Sequence, residues 1–223
     1  MKKASGAHGV FVTLRSMLKS VRNLYSAAGR VYRISMLANA DDPLLLYRKR
    51  IGETLRELGI PESFATERRQ TMHLECEDLI SIGLDMAGRE QRLERESAAQ
   101  WHAMREAAAS DDVTLAVVSA FRSFDYQRQI IARKLAAGQT IERILTASAL
   151  PGFSEHHSGR AIDIGAPGCP PLTEAFEATE AYVWLTERAG EFGFSLSYPR
   201  GNPHGIMFEP WHWVFREMSG KGP

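Results

Sequence analysis

The chain has 223 residues with 27 basic and 27 acidic side chains, enough to bury a full hydrophobic core in one domain with room for an appendage. Balanced charge gives no reason to expect nucleic acid as a ligand, and two cysteines are too few for a disulfide framework. No run approaches the ~20 apolar residues of a membrane-spanning helix.

Residues 1–40 carry Lys2, Lys3, Arg15, Lys19, Arg22, Arg30 and Arg33 but no acid, whereas the chain is mixed in sign from Asp41 onward. The shift marks a boundary between a basic N-terminal extension, 1–40, and a main domain, 41–223. Phe11, Leu14, Leu18, Val21 and Tyr25 recur every three or four residues. The extension therefore reads either as an amphipathic helix able to lie on an anionic membrane surface, or as a flexible or upstream segment ahead of a start at Met36. Its apolar run, residues 9–14, is cut by Arg15 and is shorter than the ~7–15 residues of a secretory signal. No export signal is read.

A helix is predicted over residues 44–58, stopped by Gly59 and Pro61. A second helical stretch is expected from about residue 71 to 109, interrupted near 83–88. The β-branched run VTLAVVSA, 113–120, is the first predicted strand. Helices are expected at 124–137 and 140–147, a strand at 160–165, a helix at 174–190, and strands at 194–197 and 209–215. Helices ahead of strands in this order predict an α+β class: helices packed against a small, mainly antiparallel sheet that carries one metal site. Cys76 and Cys169 are read as free or buried thiols.

SEHHSGRAID, 154–163, and EPWHW, 209–213, hold the residues with chemistry. His156 and Asp163 lie seven residues apart across glycine and small residues, so a loop can present an imidazole while the following strand returns a carboxylate beside it. Ile162 and Ile164 flank Asp163, which puts the acid alone on one strand face, where burial is costly unless it is paired or bound to metal. His212 is set apart in the same way between Trp211 and Trp213, both assigned to core packing. Two histidines and one carboxylate leave one of zinc's four positions open, the pattern of a catalytic site. One Zn2+ per chain is expected at His156, Asp163 and His212. Glu209 is the candidate proton carrier, since hydrolysis near neutrality needs an uncoordinated base. His157 is the rival ligand to His156, but neighbours in an extended segment point to opposite faces. His204 lies in the turn-rich run PRGNPHG, a rim loop that could touch substrate.

SAFRSFDYQ (119–127), PGFSEHHSGRAIDIG (151–165), FGFSLSYPRGN (192–202) and EPWHW together resemble the VanY-type D-alanyl-D-alanine carboxypeptidases, over about residues 70–217. The resemblance implies a zinc carboxypeptidase that removes terminal D-alanine from peptidoglycan stem peptides or muropeptides. It implies that Arg122 binds the carbonyl oxygen that becomes an oxyanion, where an ion pair with Asp125 is the plainer alternative. It also implies that Gln127 and Ser154 hold the terminal carboxylate, although either could be an ordinary helix-surface or loop-capping residue. An L,D-carboxypeptidase, an endopeptidase and a non-catalytic zinc-stabilised cell-wall module fit the same scaffold. Such a substrate places the protein at the cell envelope or periplasm, in tension with the absence of an export signal and leaving the cytoplasm as the alternative.

Overall fold

In the computed structural model the first predicted helix forms over Pro43–Glu57 (α1). Asp42 caps it by accepting the Leu44 N–H at 3.0 Å, and proline at the first position wastes no hydrogen bond. Gly59, at φ +67°, and Pro61 end it as expected. The structure describes residues 42–67 and 70–216, so the expected extension 1–40 and the start at Met36 lie outside the described residues. A short α2 follows at Ser63–Glu67.

The helical stretch expected at 71–109 is mostly something else. Leu79–Leu84 (β1) and Glu90–Glu94 (β2) pair antiparallel as a hairpin, and only Arg95–Ser110 is helical (α3). The turn explains the difference. The Asp85 carboxylate accepts the N–H groups of Ala87 and Arg89, at 2.8 and 2.9 Å, and Gly88 takes φ +77°. Such an Asp-to-Gly turn closes two strands and cannot sit inside a helix. Ile82 and Leu93 then bury the inner face of the hairpin.

Ala116–Ser119 (β3), Ala161–Gly165 (β4), Phe194–Leu196 (β5) and His212–Phe215 (β6) form one antiparallel sheet in the order β3-β4-β6-β5. Helices Phe124–Ala136 (α4), Ile141–Ile144 (α5) and Glu180–Arg188 (α6) complete the α+β class. The helix expected at 174–190 is split, with 3₁₀ turns at Glu174–Ala178 and Ala189–Phe192 on either side of α6. Residues 209–211, expected in the last strand, form the turn before it. Among the described residues no helix is long and apolar enough to cross a membrane.

Two apolar clusters hold these parts. Ala98, Trp101, Met104 and Ala108 recur on one face of α3 and pack with Ile162, Ile164, Trp213 and Phe215 of the sheet. Leu55, Phe124, Ile131, Ile144 and Leu150 join α1, α4 and α5 into a second. Each fully buried side chain of this size contributes ~1.5–3 kcal/mol relative to exposure. The first cluster seats α3 on the sheet, and the second holds α4 against α1 and α5.

One glycine links the hairpin to the motif loop. Gly159 has φ +70°, its carbonyl accepts the Glu94 N–H at 2.9 Å, and a Cβ there would lie 2.9 Å from that same nitrogen. Backbone cannot swing away as a side chain can, so Gly159→Ala is expected to lower stability by about 1–3 kcal/mol. Urea unfolding of the two proteins checks this, and an unchanged midpoint would show that the loop relaxes freely.

Candidate active site

Strand register brings the carboxylate and one imidazole together. On β4 and β6, Asp163 stands directly opposite His212, and on the other side of β4 Asp163 pairs with Ser119. Cross-strand partners share a face, so the His212 Nδ1 lies 3.0 Å from Asp163 Oδ1. Ile162 and Ile164 point the other way into the core, as their alternation predicts.

His156 arrives from the preceding loop. Residues Glu155–Ser158 form a 3₁₀ turn between Ser154 and the left-handed Gly159, which corrects the extended segment expected there. Adjacent side chains still diverge, because a 3₁₀ turn advances about a third of a circle per residue. His156 Nδ1 bonds the Ala120 carbonyl at 2.6 Å, and its buried Nε2, without a hydrogen-bond partner, faces Asp163 Oδ2 at 3.3 Å. His157 turns the opposite way. Its Nδ1 bonds the Arg122 carbonyl at 2.6 Å and its Nε2 accepts the Gly152 N–H at 3.1 Å. Both nitrogens are spent on the backbone, leaving no lone pair for a metal.

One ligand atom from each of His156, Asp163 and His212 lies within 4.8 Å of the others, and all three residues are buried. The donor chemistry asks for a cation. With Nδ1–H given to Ala120, the His156 Nε2 lone pair points at a carboxylate oxygen. His212 lies between two carboxylates, since its Nε2 contacts Glu155 Oε2 at 2.9 Å. A neutral imidazole has one N–H and can satisfy only one of them, so without a metal the ring is held as an imidazolium that donates to both. A bound divalent ion satisfies both imidazoles and Asp163 together, and zinc suits this two-nitrogen, one-carboxylate set. Glu155 then orients His212 from behind, the outer partner that ligating histidines use.

The electrostatics follow the same geometry. Burial alone would lower the His212 pKa, but hydrogen bonds and charges from Asp163 and Glu155 outweigh it and raise the group to about 10. Burial likewise pushes Asp163 up, and the charges of His156 and Arg122 hold it well below the usual carboxylate range. Glu209 is different. It is 7% exposed and burial is its leading influence, with its carboxyl raised to about 7. It sits in the turn ahead of β6, its carbonyl accepting the His212 N–H at 3.0 Å and its own N–H bonded to Tyr198 at 3.1 Å. Its Oε2 is 3.9 Å from His212 Nδ1, close to the metal group without belonging to it.

Arg122 lines the same cavity of about 440 Å³. Its partner is not Asp125, which pairs with Arg50 at 3.0 Å. Arg122 Nη2 instead donates to Asp163 Oδ2 at 2.8 Å, and Nη1 donates to Gln127 Oε1 at 3.4 Å. Gln127 is fully buried, its Nε2 donating to the Ala149 carbonyl at 2.8 Å. It therefore sits behind Arg122 and is not among the residues that line the cavity. Ser154 does line the cavity. So does Trp211, which joins the core cluster while its carbonyl accepts the Ile164 N–H at 2.8 Å. His204 borders a smaller neighbouring pocket with Tyr198 and Glu155.

Three residues of the site escaped sequence reasoning. Glu155 has a signal, since an acid beside a ligand histidine is placed to support another ligand. Tyr198, whose ring lies 4.8 Å from that of His212, and Lys134, on the cavity wall, had none beyond their runs.

Comparison with known proteins agrees with this geometry. The model of the VanY family, described as D-alanyl-D-alanine carboxypeptidase, matches residues 90–218. The chain belongs to the VanY family. A D-alanyl-D-alanine carboxypeptidase of Enterococcus faecalis is 33% identical over 120 residues, covering 49% of this chain and 43% of that enzyme. The chain spans less than half the length of this relative and of one from Bacillus subtilis. Among solved structures, the LdcB LD-carboxypeptidase is 30% identical with a TM-score of 0.57, over 64% of this chain and 70% of that one. VanYB in complex with D-alanine-D-alanine is 30% identical with a TM-score of 0.50, over 64% and 77%. The VanY match takes in the hairpin strand β2 as well as the sheet and α4, so the family region includes every site residue named above.

His157 yields a pH prediction. Burial lowers its pKa to about 4, with the Arg122 carbonyl and Glu75 opposing. A histidine depressed in the folded state favours folding above its unfolded pKa of ~6.5 and loses that contribution as pH falls towards 4. Glu209, raised to about 7, acts in the opposite direction over part of that range. The slope belonging to His157 is therefore isolated by comparison: metal-free His157→Gln should lose less stability than the parent between pH 6.5 and 4 in denaturant titrations. Equal slopes would mean that His157 titrates normally in the folded chain.

Proposed function

We propose that the protein is a zinc-dependent D-alanyl-D-alanine carboxypeptidase that hydrolyses the terminal D-alanine from peptidoglycan stem peptides. The observation that carries this reading is the convergence of His156, Asp163 and His212 with an uncoordinated, buried Glu209 beside them. Family membership and the D-alanyl-D-alanine ligand of VanYB support the substrate class. His156, Asp163 and His212 would hold the ion. When bound, zinc supplies a Lewis acid and shifts the ionisation of water from ~15.7 towards ~7.

The chain's own groups do the rest. Glu209, with a carboxyl near neutrality, accepts the proton of the attacking water and returns it to the departing amine, the role a tuned carboxylate performs best near its own pKa. Arg122 donates to the carbonyl oxygen as negative charge develops there, a contact whose loss typically costs about 2.7–4 kcal/mol in the barrier. Gln127 positions Arg122 from behind by accepting from Nη1. Ser154, on the cavity wall, is a substrate contact. The LdcB likeness favours a second reading, an L,D-carboxypeptidase on the same scaffold. A peptidoglycan substrate places the protein's action at the cell envelope.

Mass spectrometry of defined pentapeptide and tetrapeptide muropeptides, incubated with zinc-loaded protein, separates these readings. Loss of one D-alanine from the pentapeptide alone is the expected result. Cleavage of the tetrapeptide alone selects the L,D reading, and an internal cut selects an endopeptidase.

Variants test the roles. His156→Ala and His212→Ala should lose most of their zinc in metal analysis, whereas His157→Ala should retain it in whatever fraction stays folded. Glu209→Gln should keep zinc and lose at least about 10²-fold in turnover. Near-parental turnover in that variant would transfer proton movement to another group.

A further inference from the structure

A second, smaller pocket of about 40 Å³ adjoins the cavity of the metal group, and the two share Ala149, Glu155, Tyr198 and Ile206. Gln70, Thr71, His73 and His204 border only the smaller one. The first three of these precede residues 90–218, the region matched by the family model, so that part of the wall comes from outside the matched region. A water needs ~10–15 Å³ of such space, so the pocket takes a group of about three non-hydrogen atoms.

The polar groups around this pocket have no partners within the protein. Both ends of the Gln70 amide are buried without a hydrogen bond. Among the described residues the ring nitrogens of His73 and His204 and the Tyr198 hydroxyl make none either. Buried polar groups are paired in the great majority of cases, so a cluster left open beside an active site points to a ligand that closes it. Charge narrows what that ligand is. Glu155 is already held by His212 at 2.9 Å and Arg216 at 3.5 Å, and burial lowers the His73 pKa, which keeps its ring neutral. Among the described residues no lysine or arginine borders the pocket. An entering carboxylate would therefore face Glu155 without a counter-charge, and an ammonium would leave the Gln70 N–H groups unmatched. A carboxamide has both an acceptor and a donor, so it can pair with another amide at both ends.

We propose that the smaller pocket binds a neutral carboxamide in the acyl portion of the peptide, with Gln70 as its main partner and the Tyr198 hydroxyl as a second. The proposal rests on the carboxypeptidase reading, in which the leaving group is a single amino acid whose only amide is the bond being cut. Any further amide must then come from the other side of that bond. A site built to hydrogen-bond such a group rejects a near-isostere that leaves its own polar atoms unpaired.

The test measures binding by calorimetry in the zinc-loaded full chain carrying Glu209→Gln, so that the peptide is not consumed. Two pairs of acetylated probes end in D-alanyl-D-alanine. The first pair carries L-glutamine or L-glutamate ahead of it, a side-chain carboxamide against a carboxylate. The second carries L-alanine or L-lactate there, so that an ester replaces the acetyl-bearing main-chain amide. In one of the pairs the amide is expected to bind about tenfold more tightly, the scale of one or two neutral hydrogen bonds, and the pair that shows it identifies the carboxamide as side chain or main chain. Adding Gln70→Leu should abolish that preference, and Tyr198→Phe should reduce it. Gln70→Leu loses no internal hydrogen bond, so its urea midpoint should stay the same or rise. Absence of a preference in both pairs would overturn the proposal, as would a preference that survives both variants. A lowered midpoint in Gln70→Leu would do so too, since it would reveal a structural partner for the amide. Turnover by protein with Glu209 intact judges the carboxypeptidase reading separately. An active enzyme without the preference loses only the proposal, and an inactive protein that shows a preference dependent on Gln70 loses only the reaction.

Discussion

The carboxylate of Asp163 is the group around which the site is arranged. It is 2% exposed, on a strand whose every residue is buried. A buried carboxylate without partners costs several kcal/mol, so it persists only because two imidazoles and a guanidinium face it. That arrangement depends on register. A slip of one residue between β4 and its neighbours would turn Asp163 into the core and Ile162 and Ile164 into the cavity, since side chains alternate with a period of two. The burial of those isoleucines against α3 is thus what holds the acid in place. Core packing and site geometry are one constraint.

The chain segment after β3 gives the second layer of control. The Ala120 carbonyl takes one nitrogen of His156, and the Arg122 carbonyl takes one nitrogen of His157. Two backbone acceptors two residues apart thus turn adjacent imidazoles to different tasks. The same short segment presents the Arg122 side chain to Asp163 and leads through the Ser123 cap into α4. Residues distant in sequence are brought together here, and a small displacement of 120–123 would disturb ligand tautomer, guanidinium and helix direction at once. The engaged Gln127 amide, bonded to both Arg122 and the Ala149 carbonyl, braces it from the other side.

Much of this was legible from the chain. His156, Asp163 and His212 stood out because short-range spacing and flanking apolar residues determine which strand face each occupies, and strand alternation transmits that directly to the site. The β1–β2 hairpin was not legible as such, because its apolar residues lie in a stretch where a helical spacing fits equally well, and the decisive element is the Asp85 turn. Glu209 was expected on a strand and lies in a turn, a difference of backbone path that leaves its carboxylate beside His212. The burial of Gln127 was not legible, for a deeper reason. Its distance from Arg122 on the sequence reveals that they are near each other, but only the packing of α4 against the segment ending at Ala149 determines that its amide faces inward. Cys76 and Cys169 are half-buried and not joined to each other.

The division of labour within the cavity follows from which elements build it. Asp163, His212 and Glu209 stand on the sheet and the turn entering β6, tied by backbone pairing that permits little variation, with His156 on the 3₁₀ turn just before β4. The opposite wall is α4 with residues 147–149 and 206–207, whose segments are tied to one another by single hydrogen bonds such as that from the Met207 N–H to the Thr146 carbonyl at 2.7 Å. Substitutions on a helix face change what the wall recognises without moving a strand, whereas substitutions on β4 or β6 change register or core. The groups proposed to act on a scissile bond are therefore constrained by the sheet, whereas the face that α4 presents to the cavity can vary without moving a strand. The proposed catalytic residues alone cannot fix the stereochemistry of a substrate, because they act on an amide common to all candidates; such discrimination belongs to the rest of the cavity wall, of which Tyr126, Ile130 and Lys134 on α4 are part.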